Sequence, residues 1–153
     1  MNTQIISALI GAGATIISVI LAFILNQIAK RISDKRFRKK HNIRDISGDW
    51  KSKWIYVNEN GDENIIECLD NIRMKGKNCF EGKSERKEWH YSIAGTIDEM
   101  GYLSGTWDSL IDTYKDSFLL KLRPSLKYIE GHTLSVSFEH DTRPGRWVWE
   151  RRS

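Results

Sequence analysis

Two cysteines and two prolines are too few for a disulfide scaffold or a collagen-like chain. The cysteines, Cys68 and Cys79, also lack the C-x-x-C spacing of a zinc or redox site. The signatures of catalysis are missing: there is no G-x-S-x-G, no H-E-x-x-H and no phosphate-binding P-loop. The four histidines are scattered, and none sits with a motif-related nucleophile. Residues 58–67 resemble a calcium loop in their asparagines, glycine and distal glutamate. Its first ligand position would be Tyr56, so the segment reads as a hairpin turn. Glu139, His140 and Asp141 stand at a strand-to-turn junction, where solvated polar side chains are the rule. The sequence therefore predicts no enzyme, no metal site and no cofactor. A further absence is positional: no Lys or Arg precedes residue 30.

What fills that uncharged stretch is apolar. Residues 5–25 are 21 consecutive uncharged positions, mostly Ile, Leu, Val, Ala and Phe. As a helix they would rise about 31 Å, close to the hydrocarbon thickness of a bilayer. No basic n-region precedes the run and no small-residue cleavage site follows it, which argues for a span over a signal peptide. Residues 1–29 are thus predicted to hold one transmembrane helix, spanning about 5–28.

Charge then orients it. Residues 30–44 carry eight basic side chains against one acidic, whereas residues 45–153 carry 16 basic and 19 acidic. The positive-inside rule places the basic flank in the cytoplasm, leaving the N-terminus outside. That predicts a single-pass inner-membrane protein with a cytoplasmic C-terminal domain. Both cysteines then face a reducing compartment and are expected to be free, buried thiols. Residues 30–45 read as a basic juxtamembrane segment, partly a helical extension, that attracts anionic headgroups. The remaining domain has no net positive field for duplex DNA.

From residue 46 to 153 the pattern is period-2 alternation broken by turn residues. Strands are predicted at about 49–57, 63–74, 79–86, 88–98, 102–108, 117–123, 131–140 and 146–151, with a helical turn at 109–115. The seventh is marked by alternating Leu134, Val136 and Phe138. Tight turns imply antiparallel neighbours, and eight such strands close naturally into a barrel, with a sandwich as the structural alternative.

Two constellations stand out. Ser7, Gly11, Thr15, Ser18 and Ala22 fall on one stripe of the span, where small residues allow close helix approach and self-association. Six tryptophans all lie in the β domain. Most must serve packing, but aromatic rings can also stack on nucleobases, and arginines can meet phosphates bidentately. The candidate ligand-binding residues are Trp54, Tyr56, Arg73, Tyr91, Trp107, Arg123 and Arg146.

Gly48-Asp49-Trp50, the Gly95…Gly105-x-Trp107 series and Trp147-Val148-Trp149-Glu150-Arg151 resemble a compact calycin or lipocalin-like barrel. That resemblance implies that the opening Gly-x-Trp packs against a terminal arginine, here Arg151. The span, basic collar and small cytosolic barrel together resemble the membrane-associated β-barrel effectors of CBASS-type antiphage systems. The plan is also similar to CRISPR-associated membrane effectors gated by cyclic oligoadenylate. One departure is the single span, where the CBASS-type family usually has two. The resemblance implies a cyclic di- or oligonucleotide ligand, homo-oligomerisation and disruption of the inner membrane. The competing expectation is a membrane-tethered binder of a lipid or other apolar ligand. The lining of the barrel discriminates: aromatic with arginine for a nucleotide, apolar for a lipid.

Overall fold

The computed structural model describes residues 3–57, 60–84, 90–111, 115–134 and 145–152, with side chains from residue 15 onward except that of Leu134. Among these residues there is one helix, α1 (Thr3–Lys40), followed by eight strands. They are β1 (Gly48–Val57), β2 (Glu63–Lys75), β3 (Cys79–Ser84), β4 (Tyr91–Ile97), β5 (Tyr102–Ser109), β6 (Lys115–Leu122), β7 (Tyr128–Leu134) and β8 (Arg146–Arg151). The chain divides into two units, Met1–Phe37 and Arg38–Ser153.

The 38 residues of α1 correspond to about 57 Å of helix. It is long and apolar enough to cross a membrane. Its described apolar side chains, from Ile16 to Leu25, are exposed on every face. Arg38, Lys39 and Lys40 occupy its last turn, where cations favour the helix dipole. Asn42, at φ 52°, then takes the left-handed conformation that commonly ends a helix.

The second unit is a closed barrel in which every strand pairs antiparallel with its sequence neighbours and β8 pairs back onto β1. The closing register runs from Trp50 opposite Arg151 to Ile55 opposite Arg146. Alternation decides what fills the interior: Trp50, Ile72, Phe80, Ile93, Ile97, Leu103, Phe118, Leu120, Ile129 and Trp149 are almost completely buried. An aromatic series runs along the interior. Trp54 contacts Trp107, Trp107 contacts Tyr91, Tyr91 contacts Trp147, Trp147 contacts Trp149 and Trp149 contacts Trp50, with centroids 5.2–6.4 Å apart. Most of these pairs are tilted or edge-to-face, the geometries the ring quadrupoles favour.

Such rings need room, and the wall supplies it with glycine. Gly95 and Gly105 face each other across β4 and β5. A Cβ at Gly105 would lie 2.2 Å from the Ala94 carbonyl oxygen and 2.8 Å from the Phe118 ring. The two strands therefore approach more closely there than any side chain allows, which bends the sheet around Phe80 and Phe118.

One end of the barrel is covered by the segment that leads into β1. Arg38 Nη1 donates to the Gly76 carbonyl in the β2–β3 turn at 2.6 Å, and His41 Nδ1 meets Glu99 Oε1 in the β4–β5 turn at 2.6 Å. Ile43 and Ile46 are buried, and Trp50 Nε1 donates to the Ile46 carbonyl at 2.9 Å. Arg151 lies over the Trp50 ring, 5.3 Å from its centroid, and donates to the Ser47 carbonyl. This is the Gly-x-Trp to terminal-arginine packing that the barrel resemblance implies. Gly48 takes φ +133° beside that guanidinium.

Several expectations need correction. The helical turn expected at 109–115 falls largely on residues 112–114, which lie outside the described residues; β5 runs to Ser109 and β6 starts at Lys115. β7 begins at Tyr128, not 131, because Tyr128 and Ile129 pair with Glu150 and Trp149. Its buried positions include Ile129 and Thr133; the side chains of Leu134, Val136 and Phe138 lie outside the described residues. Both cysteines are free, but only Cys68 is buried. Cys79 is exposed because its neighbour Phe80 takes the interior side of β3.

Trp50→Ala is expected to cost about 3–5 kcal/mol, since the ring is fully buried and holds both Ile46 and Arg151. Gly105→Ala is expected to cost about 1–3 kcal/mol, because the added carbon meets backbone that must shift. Urea unfolding of the two variants measures both, and a loss below about 0.5 kcal/mol for either would contradict its assigned place.

Candidate functional site

At the end opposite the covered one, the described interior residues form an aromatic cup. Inward positions of β1 form one wall: Trp54 and Tyr56 are half-buried and stack with centroids 4.8 Å apart at 27°. Trp107 from β5, Tyr91 from β4 and Trp147 from β8 complete it. Beneath the rings lies a cavity of about 20 Å³ whose surface is almost wholly apolar, with Ser52, Cys68, Tyr91 and Thr133 among its lining residues. That volume holds one water-sized group, far short of the several hundred cubic ångströms of a typical ligand pocket. Below it the barrel is filled by side chains. Gly145 lets the cup form, because a Cβ there would lie 2.0 Å from Trp54 Nε1.

The floor carries a buried polar cluster. Tyr91 Oη donates to Asp70 Oδ1 at 2.8 Å, and Ser52 Oγ lies 3.2 Å from Tyr91 Oη. Ser52 and Asp70 are each 1% exposed. Asp70 Oδ2 has no hydrogen-bond partner in the structure. Desolvation by burial pushes the Asp70 carboxyl up to about 7, against the opposing effect of hydrogen bonds from Tyr91 and Ser52. Burial, with the Asp70 charge beside it, also raises the Tyr91 phenol well above its ordinary value, so Tyr91 stays a donor. Thr133 at the rim is committed to Gly145: its Oγ1 donates to the Gly145 carbonyl at 3.3 Å and accepts from the Gly145 N–H at 3.2 Å.

The structure brings together four of the seven candidate ligand residues, Trp54, Tyr56, Tyr91 and Trp107. It does not bring the three arginines to them. Arg73 is exposed on the outer side of β2, where its Nε donates to Asn71 Oδ1 at 3.2 Å. Arg123 and Arg146 converge on Glu130 outside the barrel. Hydrogen bonds from Arg123 and then Arg146 hold the Glu130 carboxyl below its usual range. The reason is parity: these arginines occupy outward positions or strand ends. Along the span, Thr15, Ser18 and Ala22 are exposed, while the side chain of Ser7 and the surroundings of Gly11 lie outside the described residues. Glu139, His140 and Asp141 also lie outside them. Among the described residues no group of three His, Cys, Asp or Glu side chains is placed to hold a metal.

Sequence reasoning missed Asp70, Ser52 and Cys68. The available signal was parity: a polar residue at every second position of an alternating strand is either solvated or inside.

No family model matches the chain, and no curated protein matches it. Among solved structures, a redesigned beta barrel aligns with a TM-score of 0.55 at 10% identity, covering 71% of this chain and 92% of that one. This likeness is one of fold alone, and it agrees with a closed eight-stranded barrel.

Burying Asp70 sets a pH dependence with a definite sign. Between about pH 4 and 7 the folded state keeps a proton that the unfolded chain has released, so the Asp70 contribution to stability falls as pH rises through that window. The full difference is about 4 kcal/mol. Asp70→Asn should remove the slope, so the stability of the parent minus that of the variant should decline from pH 4 to pH 7 and level off above. Parallel curves in denaturant titrations across this range would show that the carboxyl does not titrate in the barrel.

Proposed function

We propose that this chain is a membrane-tethered sensor whose barrel mouth takes the planar base of a cyclic nucleotide, and whose occupied form self-associates to breach the inner membrane in antiviral defence. The observation that carries the reading is the aromatic cup, with Trp54 and Tyr56 half-buried and Trp107 and Tyr91 buried, set over an interior already filled. A filled barrel has no room to store an acyl chain, whereas a flat ring needs only faces to stack on, and each stack contributes roughly 1–3 kcal/mol. The phosphates of such a ligand would project outward from the mouth.

The orientation follows from the basic flank: N-terminus out, barrel in the cytoplasm. One helix cannot conduct alone, so activity requires several copies. Ser7, Gly11, Thr15, Ser18 and Ala22 form the small-residue face suited to their approach. The reading involves no catalytic group, no metal and no cofactor, and no duplex DNA partner.

A second reading, a tethered binder of an apolar ligand, has two observations in its favour: among the described residues no arginine joins the cup, and the surface of the cavity beneath it is almost wholly apolar. Calorimetry on the full chain in nanodiscs separates the two. The proposal expects heats with at least one of a panel of cyclic di- and oligonucleotides and none with fatty acids; the reverse would establish the apolar-ligand reading. In cells, Gly11→Leu is expected to abolish dye entry on activation, while Ile17→Leu leaves it unchanged. Full permeabilisation by Gly11→Leu would rule out the small-residue face as the packing surface.

A further inference from the structure

We infer that Ser52, Tyr91 and Asp70 form a hydrogen-bond relay whose polarity makes the floor of the cup select a ring bearing an N–H donor, such as an exocyclic amino group. The inference rests on the reading that the cup stacks a planar base. A tyrosine hydroxyl has one proton, and here it is given to Asp70 Oδ1 at 2.8 Å. Toward Ser52, 3.2 Å away, the Tyr91 oxygen can therefore only accept. The serine proton is then spent inside the cluster, on Tyr91 or on the Asp70 carboxyl, and what Ser52 presents to the cavity is a lone pair. Protonating the carboxyl does not reverse this, because the proton has the unpartnered Oδ2 to occupy while Oδ1 continues to accept from Tyr91.

Size agrees with polarity. The cavity of about 20 Å³ beneath the rings takes one water-sized group, which is the size of an amino group and not of a ring. A base stacked edge-down on Trp54 and Tyr56 would place its edge substituent there. An amino group meets an acceptor; a ring without one leaves the buried Ser52 oxygen unmatched, and a site built to bond a donor rejects the analogue that lacks it. Ser52 and Tyr91 are thus specificity-determining residues, and Asp70 is a positioning residue that acts through Tyr91.

The test compares adenosine with purine riboside, which lacks only the amino group, by tryptophan fluorescence titration of the full chain in detergent at up to millimolar nucleoside. The parent is expected to bind adenosine at least fivefold more tightly. Ser52→Ala and Tyr91→Phe are expected to bring the ratio close to one while purine riboside affinity stays within twofold. Asp70→Asn, whose amide can donate to Tyr91 and reverse the relay, is expected to narrow the ratio as well. Melting curves confirm that each variant is folded, and the Ser52→Ala result decides if another does not fold. Equal affinity of the parent for both nucleosides overturns the relay and leaves the stacking reading in place. Binding of neither overturns both.

Discussion

The pairing of β1 with β8, from Trp50 opposite Arg151 to Ile55 opposite Arg146, closes the sheet and leaves an interior whose diameter is set by the strand number. At eight strands that interior is just wide enough for side chains to fill. The consequences follow in order. Every inward position must contribute volume, so large rings and glycines have to be matched across the wall. Gly95 and Gly105 give up side chains where Phe80 and Phe118 need the space. Closure also leaves no free edge, so the outer faces can carry cross-strand charge pairs such as Lys53 with Glu67, at 2.8 Å, without inviting edge-to-edge pairing.

A core built this way treats a carboxylate harshly. Asp70 sits at an inward position opposite Trp50 and Ser84, and only Tyr91 and Ser52 temper its desolvation. A leucine there would be cheaper for stability alone. Packing and folding energy therefore do not explain the choice of residue at Asp70, which lies beneath the cavity among the described residues. Low dielectric strengthens its hydrogen bonds as much as it penalises the unmatched oxygen, which is why the direction of each proton in the cluster matters.

Much of the barrel was legible in the chain because its signals are local. Alternating Trp50, Ser52, Trp54 and Tyr56 fixed the inward side of β1, and glycine-marked turns fixed the hairpins, with Gly61, Gly76 and Gly101 all taking positive φ. The long apolar run showed the helix for the same reason. What local signals do not carry is which residues meet across the barrel. Arg73, Arg123 and Arg146 looked like partners for the aromatic residues in composition, yet parity sends them outside, and Glu130 joins two of them through strand pairing between distant segments. Asp70 was hidden by the opposite effect: an aspartate in a strand reads as solvated until closure shows that its side faces inward. β7 was placed three residues late because Tyr128-Ile129 follows a turn, 123–127, without a glycine to mark its end.

The two ends of the barrel are unlike. The chain enters at the covered end, where Arg38, His41, Ile46 and Trp50 bind it to two turns and to β1. The cup lies at the other end. Between them the interior is packed with rings in contact, which transmit load but leave little slack for one end to move without the other. A barrel of this kind resists deformation, so its rim is held as a rigid surface.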